Sequence, residues 1–151
     1  MSDKTIKPML WFDNQAEEAA RFYCSIFEDS HVDDVGDMVV SFTLRGKPFL
    51  ALNGGKQEWS FNESVSFLVD CETQEEVDRF WDALIADGGR PSQCGWLKDK
   101  YGLSWQIIPD ALMEMMSSDD EAASKRAFDA MMTMQKIDIA EMKRAYNGVP
   151  A

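Results

Sequence analysis

The sequence predicts an α+β fold of two consecutive βαβββ modules followed by a helical tail. Three observations predict it: two similar amphipathic helical segments, short apolar runs around each of them, and a change to a methionine-rich helical composition beyond residue 109. We expect residues 1–151 to form a single domain, with module 1 at 5–55, module 2 at 63–109 and the tail at 110–148.

Each predicted helix has one apolar face, on which residues recur at steps of three and four. These residues are Ala16, Ala19, Ala20, Tyr23, Ile26 and Phe27 in the first helix, and Val77, Phe80, Trp81, Leu84 and Ile85 in the second. Asn14 with Glu17 has the spacing of a capping box, and Thr73 with Glu76 repeats it. A glycine pair at 88–89 is expected to end the second helix.

The two helical segments are also alike in sequence. Glu17, Glu18, Arg21, Phe22 and Tyr23 correspond to Glu75, Glu76, Arg79, Phe80 and Trp81 at a constant offset. Each segment follows a short apolar run, at 9–12 and 65–69. Matching residues, caps and preceding strands together indicate an internal duplication.

Three further strands are predicted after each helix. In the first half they are 31–35, 38–44 and 47–53, with a tight turn at 45–46; in the second half they are 90–93, 94–98 and 103–109, with a turn at 99–102. Three helices are predicted in the tail. The first covers 110–117, the second starts at a capping box of Ser118 and Glu121 and runs to about 134, and the third is capped by Asp138. We expect the methionines of the tail to lie in the core or in a subunit contact.

Composition restricts the function classes. A formal net charge of −12 argues against nucleic acid or an anionic membrane as the main partner. No apolar run approaches the roughly 20 residues of a membrane helix, and residues 1–7 lack a signal-peptide core, so we expect a cytoplasmic protein. The three cysteines, Cys24, Cys71 and Cys94, have no CxxC spacing and fit a reducing compartment.

Three stretches resemble a known family: residues 11–14 (WFDN) with Glu17, Glu18 and Ala19, residues 53–55 (NGG), and the long run at 93–106 (QCGWLKDKYGLSWQ). With the βαβββ repeat, they resemble the vicinal-oxygen-chelate (glyoxalase/bleomycin-resistance/dioxygenase) superfamily. Within it they are similar to the PhnB-like family, often labelled 3-demethylubiquinone-9 3-methyltransferase. The resemblance implies that the modules form a concave mixed sheet around a small-molecule site and that the protein is a homodimer.

In metal-dependent members of the superfamily, the resemblance implies one ligand from each of the first, fourth, fifth and eighth strands. The residues near those positions are Lys7 and Met9 in the first strand and Phe49, Ala51 and Asn53 in the fourth. In the fifth strand they are Ser64 and Ser66, and in the eighth Gln106. One neutral amide does not hold a divalent ion against water, so we expect no metal and no cofactor. His31, at the start of the second strand, is expected to be a solvent-side residue.

Strand alternation predicts a ligand-binding set on the concave face: Trp11, Asn53, Ser66, Cys94, Trp96 and Gln106. Trp59, in the loop between the modules, is expected to cover it. Tryptophans with a few amide and hydroxyl groups suit a small planar or apolar molecule. The alternative for each aromatic residue is that it simply fills the sheet.

Three functions stay open from the sequence. The first is a metal-independent small-molecule binding protein. The second is an enzyme of unknown reaction that uses Cys94, Gln106 or a recruited metal, with Lys98 or Lys100 activating the thiol. The third is the methyltransferase of the family label, which is the least supported because residues 13–16, after the first strand, contain no glycine.

Overall fold

The computed structural model describes residues 4–150. Residues 1–3 and residue 151 lie outside the described residues. The prediction that residues 1–7 lack a signal-peptide core therefore falls partly outside them. Within the described range, no helix is long and apolar enough to cross a membrane. The chain divides into two compact units, the first ending at Trp59 and the second beginning at Ser60. That the whole chain forms one domain stays a prediction.

The first unit has the predicted βαβββ order. Its elements are β1 (Met9–Phe12), α1 (Ala16–Ile26), β2 (His31–Val35), β3 (Val39–Leu44) and β4 (Lys47–Asn53). The strands lie in the order β1-β4-β3-β2, with β1 parallel to β4 and the other pairs antiparallel. Arg45 and Gly46 both have positive φ, which suits the tight β3–β4 turn and confirms that prediction.

The core of the first unit lies between α1 and one face of its sheet. The predicted stripe of α1 is buried at Ala16, Ala19, Ala20 and Tyr23. The strand residues buried with it are Leu10, Phe12, Val40, Phe42, Leu44 and Ala51. These strand positions share one face by register, since Leu10 pairs with Ala51 and Val40 pairs with Ala51. No described helix of this unit packs against the other face of the sheet, which is called its open face below.

The second unit repeats the βαβββ order. Its elements are β5 (Ser66–Cys71), α2 (Gln74–Ile85), β6 (Arg90–Pro91), β7 (Trp96–Lys98) and β8 (Ser104–Pro109), with strand order β5-β8-β7-β6. The Thr73 side chain accepts the Glu76 backbone N–H, which confirms this predicted cap. Val77, Phe80, Trp81 and Leu84 are buried, and α2 ends at Ile85, before the predicted glycine pair. The two mixed sheets with their helices confirm the predicted fold class.

Three helices complete the second unit: α3 (Asp110–Met116), α4 (Glu121–Met131) and α5 (Ile139–Tyr146). They enclose a cluster of buried residues, namely Ile108, Leu112, Met115, Ala127, Met134, Ile137 and Met142. Gln74 fixes this tail to α2, because its side chain donates to the Ile137 carbonyl and accepts the Ile139 N–H. Three of the tail methionines therefore belong to the core, as predicted, whereas Met113 and Met132 are exposed.

Two predicted helix caps are wrong. At α1, the Ala16 N–H is capped by Asn53 Oδ1 at 2.9 Å rather than by Asn14, because the end of β4 lies beside the start of the helix. At α4, Asp120 accepts the Ala123 N–H, while Ser118 bonds to Tyr146. The other predicted tail cap, Asp138, is confirmed, because its side chain accepts the Glu141 N–H. Helix α4 also ends at Met131, three residues before the predicted end.

Two predicted strands are shorter than expected. Strand β6 ends at Pro91 rather than 93, and β7 begins at Trp96 rather than 94. The residues between them form a turn in which Cys94 and Gly95 have positive φ. Their backbone N–H groups donate to the carbonyls of Met134 and Gln135 in the tail, so they cannot join the strand ladder.

Candidate functional site

The open face of the second sheet carries polar residues in two adjacent rows. Strand register places Arg90 beside Lys98, Lys98 beside Ser104, and Ser104 beside Ser66, so these four form one row across β6, β7, β8 and β5. Residues paired in register point to the same face of a sheet. The next row, two residues along each strand, is formed by Trp96, Gln106 and Leu68.

The opposite face of this sheet is apolar and packs against α2. Leu97, Val69, Trp105 and Ile107, which alternate with the polar residues along the strands, are buried. This alternation fixes the register of the polar residues, since a slip of one residue would bury charged groups against the helix. The strand register of the sheet therefore determines which residues lie on the open face.

A groove of about 320 Å³ lies over the charged end of the open face. Its lining is formed by Glu63, Arg90, Pro91, Ser92, Trp96, Leu97, Lys98 and Ser104. Lys98 Nζ lies 2.5 Å from Glu63 Oε1. The pKa of the Glu63 carboxyl is lowered chiefly by the hydrogen bond from Lys98, with a further contribution from the charge of Arg90. The groove therefore combines two cations, one carboxylate and an indole ring.

Two of the predicted site residues contact one another beside the groove. Gln106 Nε2 donates to Ser66 Oγ at 3.0 Å. Ser104, in the row of Ser66, is only 1% exposed, and its Oγ has no hydrogen-bond partner within residues 4–150. A buried hydroxyl without a partner costs free energy, so it points to a group that is supplied from elsewhere.

Trp11 and Trp59 lie together in the first unit. Trp11 pairs with Leu52 and so lies on the open face of the first sheet, and its Nε1 donates to the Gly55 carbonyl at 2.9 Å. The Trp59 ring meets it edge-on, with centroids 5.0 Å apart. Gly54 is required beneath this pair, because a Cβ there would clash with the Trp11 ring. Trp59 remains 58% exposed, which leaves an aromatic surface open to a ligand.

Asn53 lies on the other face from Trp11, contrary to prediction. It pairs with Phe12 in the register that faces α1. Its Oδ1 accepts the Ala16 N–H, and its Nδ2 donates to the Asp37 carbonyl at 3.3 Å. Both ends of the amide are thus used within the first unit. Asn53 caps a helix and is not directed to the open face.

Cys94 also lies away from the open face. It occupies the turn before β7, and its Sγ contacts Met132 Sδ in the tail at 3.7 Å. The lysines expected to activate it are engaged elsewhere, Lys98 with Glu63 and Lys100 over the Tyr101 ring. These contacts give no support to a nucleophilic Cys94. His31, as expected, is a surface residue, with Nε2 2.8 Å from Asp33.

The structure thus brings Ser66, Trp96 and Gln106 together on one face and pairs Trp11 with Trp59. Sequence analysis missed Arg90, Ser104 and Glu63, and it named Lys98 only as an activator of Cys94. Lys98 and Ser104 follow from the alternation that identified Trp96 and Gln106, because each lies two residues away on the same strand. Glu63 belongs to a loop and gives no periodic signal.

Comparison with known proteins identifies the family. Residues 4–108 match the profile of the family described as 3-demethylubiquinone-9 3-methyltransferase. A PhnB protein from Bacillus cereus is 30% identical, with a TM-score of 0.67 over 70% of this chain and 99% of that chain. The chain belongs to the PhnB-like family. This family lies within the glyoxalase/bleomycin-resistance superfamily, as the sequence motifs indicated.

More distant structures share the fold alone. A protein of Pseudomonas aeruginosa is 17% identical, with a TM-score of 0.57 over 71% of this chain and 98% of that chain. The fosfomycin resistance protein of Listeria monocytogenes, complexed with Mn(II) and sulfate, is 14% identical, with a TM-score of 0.52 over 70% of this chain and 88% of that chain. No curated protein matches the chain.

The PhnB-like chain does not have the donor set of a metal-dependent member of the superfamily. On the open faces, β1 offers Met9 and Trp11, and β4 offers Leu50 and Leu52. The predicted β4 positions Phe49, Ala51 and Asn53 lie on the helix face instead, as the register shows. In β5 and β8, Ser66 and Gln106 are neutral and bond to each other. Within residues 4–150, no three His, Cys, Asp or Glu side chains form a cluster that could hold a metal ion.

The methyltransferase name of the family implies S-adenosylmethionine, and the residues of this chain do not fit it. Such a cofactor commonly binds at a glycine-rich turn between the first strand of a parallel sheet and its helix. Here both sheets are mixed, and the turn after β1 has no glycine. The first N–H of α1 is already capped by Asn53.

Proposed function

We propose that this PhnB-like protein binds a small planar organic molecule on the open face of its second sheet without a resident metal. The observation that carries the proposal is the buried, unpartnered hydroxyl of Ser104, which lines a groove beside the Trp96 indole. Binding sites commonly combine an aromatic wall with a few polar groups that fix the orientation of the ligand.

The roles of the residues follow from their chemistry. Trp96 supplies a flat surface for a ring, and Gln106 and Ser66 supply amide and hydroxyl groups in the same and the next row. Trp11 and Trp59 offer a second aromatic surface, which we also assign to ligand contact. Asn53 and Cys94 are left out of the proposed site because of their contacts with α1 and the tail.

A thermal-shift screen of metabolites tests the proposal. A ligand at 100 times its dissociation constant adds about 2.7 kcal/mol to the free energy of unfolding, so a true ligand raises the melting temperature measurably. We expect ligands that stabilise the protein in the presence of EDTA and lose this effect in Trp96→Ala. The matched control is Phe22→Ala, which removes a half-buried aromatic ring from α1, outside the proposed site. Stabilisation that requires an added metal ion, or that survives Trp96→Ala unchanged, would contradict the proposal.

We further propose that the protein works in the cytoplasm as a homodimer. The three free thiols of Cys24, Cys71 and Cys94 suit a reducing compartment. Met113, Phe128 and Met132 leave exposed apolar surface on the tail, which a second copy could cover. Sedimentation equilibrium at micromolar concentration is expected to give the mass of a dimer, and the mass of a monomer would contradict it.

A further inference from the structure

We propose that the row Arg90, Lys98 and Ser104 is a carboxylate-binding site, so that the ligand of the second sheet is a planar aromatic acid. This inference rests on the proposed function and names the chemical class of its ligand. Three neighbouring positions of one row carry two cations and a hydroxyl. Guanidinium, ammonium and hydroxyl groups are the usual donors to a carboxylate, and charged partners make such bonds strong.

Arg90 is the cation with free donors. It is exposed on β6, and its guanidinium donates no hydrogen bond to any residue within 4–150. Its guanidinium can bind a carboxylate through two parallel N–H groups, which a lysine cannot do. In a protein with a net charge of −12, two cations side by side on one sheet face form a local site for an anion.

Ser104 supplies the second, independent observation. Its Oγ is buried and lines the same groove, yet no group within residues 4–150 bonds to it. Burial of this hydroxyl without a hydrogen-bond partner within residues 4–150 costs free energy. A ligand carboxylate oxygen would accept from this hydroxyl and remove the cost. A purely apolar ligand, which the tryptophans alone would suggest, would leave Ser104 Oγ unpaired.

Glu63 occupies the place of an anion at Lys98. Its carboxylate lies in the loop before β5, is 63% exposed, and contacts Lys98 Nζ in the groove. Glu63 is the exposed member of this pair, so a ligand carboxylate can replace it while an anion stays beside Lys98, whose side chain is only 26% exposed. A ligand carboxylate therefore competes with Glu63 for Lys98, and the departure of Glu63 also removes its attraction to the charge of Arg90.

Trp96 sets the distance between the acid and the ring of the ligand. It lies two residues before Lys98 on β7 and on the same face, which corresponds to roughly 6.6 Å along the strand. That separation fits an aromatic ring that carries its carboxylate directly or through one carbon. The groove volume of about 320 Å³ suits a molecule of one or two rings.

The test uses 2-naphthoate and its uncharged analogue 2-naphthalenemethanol as probes. Binding is followed by the NMR signal of the Trp96 indole N–H, assigned by its loss in Trp96→Phe. We expect naphthoate to shift this signal and to bind at least about tenfold more tightly than the alcohol, since the charged hydrogen bonds are worth more than about 1.4 kcal/mol. Added salt weakens naphthoate binding and leaves alcohol binding unchanged.

Matched variants separate the groups of the site. Arg90→Gln weakens naphthoate binding about tenfold, whereas Arg79→Gln, a charge-matched change on α2 at the opposite face, leaves it unchanged. Glu63→Gln strengthens naphthoate binding about two- to fivefold, because the competing anion is gone. Arg90 and Glu63 are exposed, so circular dichroism is expected to show that both variants fold.

Two outcomes would overturn the carboxylate site. One is equal binding of acid and alcohol at Trp96 with no effect of Arg90→Gln; this leaves the proposed binding function intact. The other is the absence of any naphthoate-dependent shift of the Trp96 signal at millimolar probe. The metabolite screen decides the binding function separately, because it does not depend on the charge of the ligand.

Discussion

The amide of Asn53 joins the end of β4 to the start of α1 through the bond from the Ala16 N–H. A polar cap of this kind is worth about 1 kcal/mol. We predict that Asn53→Ala lowers the free energy of unfolding by about this amount, measured by urea denaturation. Asn53→Asp keeps the acceptor oxygen and is expected to lose less. Equal urea midpoints for wild type and Asn53→Ala would contradict the capping role.

Ser104 and Ser66 are neighbours on the open face of the second sheet, and substitution by alanine is expected to change the stability of the protein differently at the two positions. Ser104 Oγ is buried without a partner within residues 4–150, so Ser104→Ala leaves the stability of the ligand-free protein unchanged or raises it by up to about 1 kcal/mol. Ser66 Oγ accepts from Gln106, so Ser66→Ala lowers stability by about 1 kcal/mol. Thermal denaturation of both variants measures this difference. A clear loss in Ser104→Ala would show that its hydroxyl has a partner in the free protein.

At the scale of single elements, the β7–β8 turn depends on the carboxylate of Asp99. This buried group accepts the N–H groups of Tyr101 and Leu103 and the indole N–H of Trp105. Removing it leaves three donors without their acceptor, and each buried unpaired donor costs about 1–3 kcal/mol. We predict that Asp99→Ala lowers the free energy of unfolding by at least about 3 kcal/mol in urea. Asp82→Ala, on the exposed side of α2, is the control, and similar losses in both would contradict this role.

The helical tail is an integral layer of the second unit, because its methionines fill the cluster around Ile137. Met142 is fully buried, and truncation of a buried methionine to alanine costs about 2–5 kcal/mol. We predict that Met142→Ala loses stability in this range by urea denaturation. Met113→Ala, at a residue that is 53% exposed, is expected to change it by less than about 0.5 kcal/mol. A small effect at Met142 would mean that the tail packs loosely.

The strands and helices could be predicted from local periodicity, but the side-chain contacts between them could not. Alternation identified Ser66, Trp96 and Gln106 because each lies in a regular strand with one buried face. It failed at Cys94, because tail carbonyls hold the backbone of this residue and its neighbour in a turn. It failed at Asn53, because strand pairing, which a single sequence does not specify, places this residue on the face of α1.

At the scale of the whole molecule, the two modules share a scaffold and differ on their open faces. The helix faces of both sheets are apolar, as the duplicated helices predicted. The open face of the first sheet carries Met9, Trp11, Leu50 and Leu52 and, along β3, Val39, Ser41 and Thr43. The open face of the second sheet carries Trp96, Leu68, Gln106, Ser66 and Ser104 and the two cations Arg90 and Lys98. The residues that hold the fold are thus similar in the two modules, and the cations proposed to bind a ligand lie in the second.

Metal content measures the central proposal most directly, because the superfamily positions on the open faces carry methionine, tryptophan, leucine, serine and glutamine. A tightly bound zinc ion normally takes at least three protein ligands, and Gln106 offers one neutral oxygen. The measurement is elemental analysis of protein purified without chelator and dialysed against metal-free buffer. We predict far less than one metal ion per chain. About one tightly held zinc, nickel or manganese ion per chain would contradict a metal-independent binding site.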